Sequence, residues 1–274
     1  FHDLSKRLVT SFLSFAVIAS ILIFAYQPFV KWGVTLVIAL LGGVGLWEYG
    51  KLTKIDQKKG FVPLLIVIAI LEVFAFSLSL SPLTIPVLGL IFIFFYHFNK
   101  ISGAIQSISM GFFGFCYVVI PLGLLLKILY LSSAYKVGEE GRMWLLYLLI
   151  VTKITDVGAY FGGRLFGCKK LAPNISPGKT IVGAAIGFIS AIVASIIFYV
   201  LGFYLDHFNM TFIQSIWLGA LLGCLGQIGD LAESLLKRDA DVKDSNKLPG
   251  LGGVLDMVDS LLFTTPIIYL FLYN

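Results

Sequence analysis

Charge is what this 274-residue sequence has least of. Only 35 side chains are acidic or basic, 13% of the total, where soluble domains run at roughly 25%. With 58% hydrophobic residues and a mean hydropathy of +0.96, too little polar surface is left to cover a water-soluble core. Cysteine is just as sparse. Cys116, Cys168 and Cys224 are odd in number and far apart. That excludes a disulfide framework and a thiolate metal site of usual spacing, and leaves free, mostly buried thiols. The three histidines, His2, His97 and His207, offer no Ser-His-Asp or Cys-His arrangement on the inner side, against acyl transfer through a covalent intermediate. There is no internal repeat and no low-complexity segment. The net charge is +5, yet no basic patch is interleaved with aromatics, so nucleic acid is not an expected partner.

What is there is a succession of apolar runs. About 20 apolar residues span a bilayer as a helix. Leu8–Val30, Phe61–Leu80, Ile181–Tyr204, Thr211–Leu231 and Val254–Leu272 meet that length well, and Trp32–Tyr49, Leu83–Phe98, Ser107–Leu131 and Met143–Phe161 meet it less well. The expectation is an all-α, polytopic integral membrane protein with about nine transmembrane helices. A cleaved signal peptide is not expected, because the first run is followed by many more and lacks a small-residue cleavage site. Residues 1–131 read as N-terminal helices and 132–274 as a C-terminal catalytic region, within one membrane-embedded unit. With an inside N-terminus, the loops assigned to the cytoplasm carry 15 of the 20 Lys and Arg residues, and the outer segments three. That bias places the two motif-rich loops, after the sixth and eighth helices, in the cytoplasm.

The second of these loops lies in the stretch SLLKRDADVKDSNKLPGLGGVLDMVDS, Ser234 to Ser260, with nine charges in 27 residues. Asp230, Glu233 or Ser234, and Lys237 recur at helical spacing on one face, and Asp256 and Asp259 share a face three residues apart. Singly, each carboxylate reads as an ordinary helix-end charge. Jointly, acids at membrane depth read as a functional site, and converging carboxylates would repel one another without a cation between them. Few, hard oxygen ligands with room for substrate phosphates suit Mg²⁺, with a second cation as an option.

The first loop reads TDVGAYFGGRLFGCKKLAPNISPGKTIVG, Thr155 to Gly183. Asp156 ends an apolar run, and Gly-rich turns then alternate with Arg164, Lys169, Lys170 and Lys179. Backbone amides with Lys and Arg bind polyphosphate, and Ser176 and Thr180 add hydroxyls. An equally good reading is a basic loop touching anionic lipid headgroups. Gly178-Lys179-Thr180 is not the end of a Walker A loop, since Pro173 stands where its first Gly belongs and no strand precedes it.

At these residues the sequence resembles the CDP-diacylglycerol synthases, or phosphatidate cytidylyltransferases. The family's S-x-x-K-R-x4-K-D is matched by Ser234, Lys237, Arg238, Lys243 and Asp244. Its P-G-H-G-G and D-R-x-D are matched by Pro249-Gly250-Leu251-Gly252-Gly253 and Asp256-Met257-Val258-Asp259. Gly229-Asp230-Leu231-x-Glu233-Ser234 also matches, as does the upstream loop, so the likeness covers the chain from about Thr155 onward. Leu251, Met257, Val157, Cys168 and Val182 depart from the family's His, Arg, Thr or Ser, basic residue and Glu, and the link before Pro249 is one residue shorter.

The resemblance implies that CTP and phosphatidate are joined to CDP-diacylglycerol and diphosphate, with no protein nucleophile. Asp230, Asp256 and Asp259, with Asp244, would hold Mg²⁺, while Lys237, Arg238 and Lys179 would clamp phosphate oxygens. Ser176, Thr180, Arg164, Asp156, Ser234, Lys243, Asp244, Gly252 and Gly253 would line the substrate site. The implied setting is a bacterial inner membrane with the site facing the cytoplasm. CTP, phosphatidate and the lipid bilayer are the partners, with a second copy of the chain as a further candidate. A CTP-dependent polyprenol kinase and a membrane transporter are the competing readings.

Overall fold

The structure, a computed structural model, describes residues 20–55, 60–78, 80, 84–98, 102–131, 141–204, 208–243, 245 and 253–273. Helices dominate them: α1 (Pro28–Leu52), α2 (Phe61–Ser77), α3 (Thr84–His97), α4 (Ala104–Leu129), α5 (Gly141–Phe166), α6 (Ile181–Gly202), α7 (Phe212–Asp239) and α8 (Val254–Tyr273). Among the described residues, six of these are long and apolar enough to cross a membrane, and α2 and α3 are shorter apolar helices. Eight of the nine apolar runs thus fall on helices, whereas Leu8–Val30 lies mostly outside the described residues. An all-α membrane protein fits; the expected count of about nine spans is not confirmed by the six among the described residues.

Local chemistry sets where helices begin. Pro28 opens α1, where its missing N–H is no loss. Thr211 opens α7 with a capping box, its Oγ1 accepting from Gln214 N at 3.2 Å while Gln214 Oε1 accepts from Thr211 N at 2.8 Å. Thr180 caps α6 by accepting from Gly183 N at 3.1 Å. Helix α4 carries one π-helical turn, Phe115–Val119.

Between α5 and α6 the sequence reading saw only turns, and the structure has a small antiparallel hairpin, β1 (Lys170–Ala172) and β2 (Ser176–Thr180), paired Lys170 to Thr180 and Ala172 to Ser176. Its turn closes with Ile175 N donating to Ala172 O at 3.2 Å and its base with Ile181 N donating to Lys169 O at 3.0 Å. Strands this short carry no hydrophobic alternation, so period-two reasoning could not find them.

The chain forms two compact units. The first takes in residues up to 126 together with 244–257; the second takes in 127–243 together with 258–274. Two of the three boundaries fall inside α4 and α8. In the first unit Thr35 Oγ1 donates to Ser77 Oγ at 3.1 Å, tying α1 to α2. In the second, α5 and α6 pack backbone to backbone. A Cβ on Gly183 would lie 2.6 Å from Ala159 O, and one on Gly187 2.8 Å from Thr155 O. Small residues are how helices approach closely without a hydrophobic driving force between them. Tyr147, fully buried, meets Ser195 Oγ at 2.7 Å, and Ser195 Oγ donates to Ser215 O at 2.6 Å, joining α5, α6 and α7.

Gly187→Val forces branched carbons into the α5 backbone and is expected to destabilise the protein by about 1–3 kcal/mol. The readout is a lower Tm in detergent. Gly33→Ala, with nothing within 4 Å of the added carbon, should leave Tm unchanged.

Candidate active site

The second unit contains a cavity of about 520 Å³ between the C-terminal half of α5, the hairpin, the start of α6 and the middle of α7. Its wall carries charges of both signs. Arg164 from α5 and Lys170 and Lys179 from the hairpin supply cations, and Asp156 from α5 and Asp230 from α7 supply carboxylates. Ser176 and Thr180 line it too, so seven residues singled out in the sequence, from segments up to 74 positions apart, share one space. The two strands bring Ser176 and Lys179 to it, and the close α5–α6 packing brings Asp156 and Arg164.

The charges are already partnered. Lys179 Nζ lies 2.7 Å from Asp230 Oδ2. Lys153 Nζ lies 3.5 Å from Asp156 Oδ2, one turn earlier on α5. Arg164 Nη1 donates to Tyr160 Oη at 3.0 Å. Ser234 Oγ stands 3.5 Å from Asp230 Oδ1, a distance at which the bond is weak.

Asp259 reaches the same neighbourhood by a backbone contact. Helices α7 and α8 touch at Gly229, where a Cβ would lie 2.5 Å from Asp259 O. Asp230 and Asp156 both act electrostatically on the Asp259 carboxyl. Its Oδ1 accepts from Ser260 N at 2.6 Å and from Ser260 Oγ at 3.1 Å. The carboxylates of α5, α7 and α8 in this unit therefore feel one another. Among the described residues no three His, Cys, Asp or Glu side chains are drawn together tightly enough to ligate an ion alone. Hard oxygens in ones and twos are nevertheless a donor set that Mg²⁺, which keeps several waters, can take.

Several other residues singled out in the sequence have structural partners. Lys237 pairs with Glu233, a buried acid one turn earlier on α7. Arg238 Nε donates to Ile175 O in the hairpin turn at 3.1 Å, and its Nη1 to Val242 O at 3.4 Å. Both cations brace structure here. Thr180 uses its oxygen as the α6 cap, and Lys243 is exposed. In the first unit Asp256 Oδ2 accepts from Gly253 N at 2.9 Å and from Ser245 N and Oγ at 3.2 and 2.9 Å, closing the start of α8. Asp244 and Gly252 lie outside the described residues.

Three residues escaped the sequence reading. Gln227 lines the cavity one turn before Asp230, its Nε2 donating to Ala184 O at 3.1 Å and to Gly223 O at 2.9 Å. Glu48 is a fully buried acid in α1, and Ser245 bonds both it and Asp256. The signal for Glu48 was available: an acid inside an apolar run.

A model of the cytidylyltransferase family matches residues 5–274. The chain is 35% identical to the phosphatidate cytidylyltransferase of Chlamydia pneumoniae, over 99% of its own length and 92% of the relative's. It is 32% identical to that of Chlamydia muridarum, over 97% and 92%, and 31% identical to that of Bacillus subtilis over 98% of both chains.

If Arg238 holds the hairpin turn, Arg238→Leu should raise amide exchange in residues 170–180 by about two- to tenfold, the loss of one or two hydrogen bonds at an exposed site. Hydrogen-exchange mass spectrometry reads it directly, with α6 as the unchanged internal reference.

Proposed function

The chain belongs to the cytidylyltransferase family, and we propose from that premise that it is a phosphatidate cytidylyltransferase whose nucleotide and lipid phosphates meet at the cavity of the second unit. The reaction joins CTP and phosphatidate. A phosphatidate phosphate oxygen attacks the α-phosphorus of CTP, a new P–O bond forms, the bond to the β-phosphate oxygen breaks, and diphosphate leaves.

One observation carries the reading: a single cavity lined by Arg164, Lys170 and Lys179 together with Asp156 and Asp230. Two polyanions have to be held together, and cationic side chains with a serine hydroxyl do that by screening their oxygens. Lys179, now on Asp230, exchanges that carboxylate for a phosphate oxygen when substrate enters. Ser176 donates a hydrogen bond, and Arg164, oriented by Tyr160, offers its remaining donors. Gln227 fixes the spacing of α6 and α7 beneath the cavity. Lys237 and Arg238 act at one remove, through Glu233 and the hairpin turn. Because both reactants are phosphates, in-line displacement asks for positioning and charge neutralisation and for no covalent enzyme intermediate.

The proposed metal is Mg²⁺. Asp230 and Asp259 would hold it with Asp156 beside them; Asp256, one helical turn before Asp259, and Asp244 complete the proposed acidic set. When bound it would neutralise charge on the leaving diphosphate. The 15-to-3 distribution of basic residues supports a cytoplasm-facing site in a bacterial inner membrane. The apolar run Leu8–Val30 supports a further span beyond the six, toward nine. Exposed apolar side chains on α5 and α6, such as Phe161 and Ile189, suit lipid or a second copy of the chain.

Purified protein in detergent, given phosphatidate and CTP, should release diphosphate and carry the α-phosphate label of CTP into lipid. Transfer of the γ-phosphate label would make it a kinase and sink the reading. Asp230→Asn and Asp259→Asn should each lower kcat by about 100-fold or more, the loss of several kcal/mol of charge stabilisation, and Asp256→Asn should abolish turnover with folding intact. Chelation should stop the wild-type reaction and added Mg²⁺ restore it.

A further inference from the structure

Helix α8 begins without the usual local cap. Its N-cap position is Gly253, which has no side chain to offer, yet three successive backbone N–H groups point out of its first turn. Gly253 N donates to Asp256 Oδ2, three residues further on, at 2.9 Å. The next two donors go elsewhere: Val254 N to Glu48 Oε1 at 3.1 Å and Leu255 N to Glu48 Oε2 at 3.0 Å. Glu48 stands 206 positions before Val254, in α1, and none of it is exposed. Ser245 completes the arrangement. Its hydroxyl lies 3.1 Å from Glu48 Oε2 and 2.9 Å from Asp256 Oδ2, and its N–H donates to Asp256 at 3.2 Å. One hydroxyl proton serves two carboxylates, one at a time.

Residues 245 and 253 are thereby held at the same point, one at each end of the segment 246–252. A Cβ on Gly253 would overlap Ser245 Oγ and lie 2.8 Å from Asp256 Oδ2 and 2.9 Å from Glu48 Oε2. Only glycine fits. Burying a carboxylate is expensive even when it is well bonded, and replacing buried ionic groups by apolar ones is often neutral for stability. Stability alone is therefore a poor reason for Glu48. The favourable terms, paired N–H groups and the positive end of a helix, act in one direction and at one place. They fix the axial and rotational setting of α8, and α8 carries Asp259 one turn further on.

We propose that Glu48 is a positioning residue of the cytidylyl-transfer site. From α1 it clasps Ser245 and the first turn of α8, and thereby sets the aim of the carboxylates along that helix. This rests on the reading of Asp259 as a ligand of the proposed Mg²⁺. A group acting through others in this way changes turnover and ion dependence more than nucleotide binding.

The test uses the full chain in detergent and two variants. Glu48→Gln keeps the volume but turns one acceptor into a donor against N–H or O–H groups; Ser245→Ala removes the shared hydroxyl and leaves both Glu48 backbone bonds. For Glu48→Gln we expect kcat to fall about 10- to 100-fold, with KM for CTP nearly unchanged and the Mg²⁺ concentration for half-maximal rate raised. Independently of activity, hydrogen exchange in the peptide covering residues 253–256 should quicken, and stabilisation of Tm by added Mg²⁺ should shrink. Ser245→Ala should move the same readouts less far. A folded Glu48→Gln protein with wild-type kcat, Mg²⁺ midpoint and exchange overturns the proposal. If that variant does not fold, Ser245→Ala decides: wild-type behaviour there overturns it, and a raised Mg²⁺ midpoint with faster exchange supports it. Wild-type protein that releases no diphosphate sinks the functional reading and this inference with it, whereas active wild type beside an unaltered Glu48→Gln sinks the inference alone.

Discussion

An ionised side chain inside an apolar helix bundle has to meet an opposite charge, a helix end or a substrate, because leaving it alone in low dielectric is prohibitive. Most of the described polar structure follows from that constraint. Lys237 is answered by Glu233 on its own helix, Lys153 by Asp156, and Glu48 by the first turn of α8. The cavity holds an ion pair between elements: Lys179 comes from a hairpin and Asp230 from α7. A pair within one helix is settled by local geometry, while a pair between elements can be parted by a ligand without unwinding anything. The cavity lies where the chain keeps charges that have alternatives.

Glycine supplies the approach distances this requires. At Gly183 and Gly187 the absence of a side chain lets α6 lie on the α5 backbone, which places the cationic end of α5 against the hairpin. At Gly229 it lets α7 meet the Asp259 carbonyl, which carries Asp230 to the carboxylate of α8. These contacts are backbone contacts, and they transmit position more rigidly than side chains do. A helix pair held by Leu and Ile could slide by a rotamer change; one held by carbonyls against Cα atoms cannot.

The amino-acid sequence made the helices legible, since a run of 20 apolar residues has few alternatives, and α5, α6, α7 and α8 lie where the runs predicted. It made the acids of the site legible for the same reason: Asp156, Asp230 and Asp259 interrupt or border apolar runs. The cations were harder. Lys179, Lys237 and Arg238 all lie near the motif loops, and spacing alone could not tell a phosphate ligand from a brace. Arg238 reaches Ile175, 63 positions earlier, through a turn that only the hairpin creates. Thr180 lines the cavity and also caps α6, a second role the sequence left open because the end of β2 fixes that helix boundary. Glu48 interrupts an apolar run in the same way, but its role was not legible, because two of its partners are backbone N–H groups that leave no mark in a sequence.

That last omission has a physical logic. A serine or aspartate at the start of α8 would have announced its cap, but position 253 has no room for one beside Ser245 and Asp256. Removing the side chain frees that space and leaves the first-turn donors to be answered from elsewhere, and Asp256 can reach only the earliest of them. The remaining two require an acceptor of two oxygens, correctly spaced, from another helix, and a carboxylate is the side chain that offers this. Gly253 and Glu48 are therefore halves of one solution, 205 positions apart. Either half read alone looks ordinary, a glycine in a turn and an acid near a helix end, and neither can be exchanged for a more common residue while the other remains.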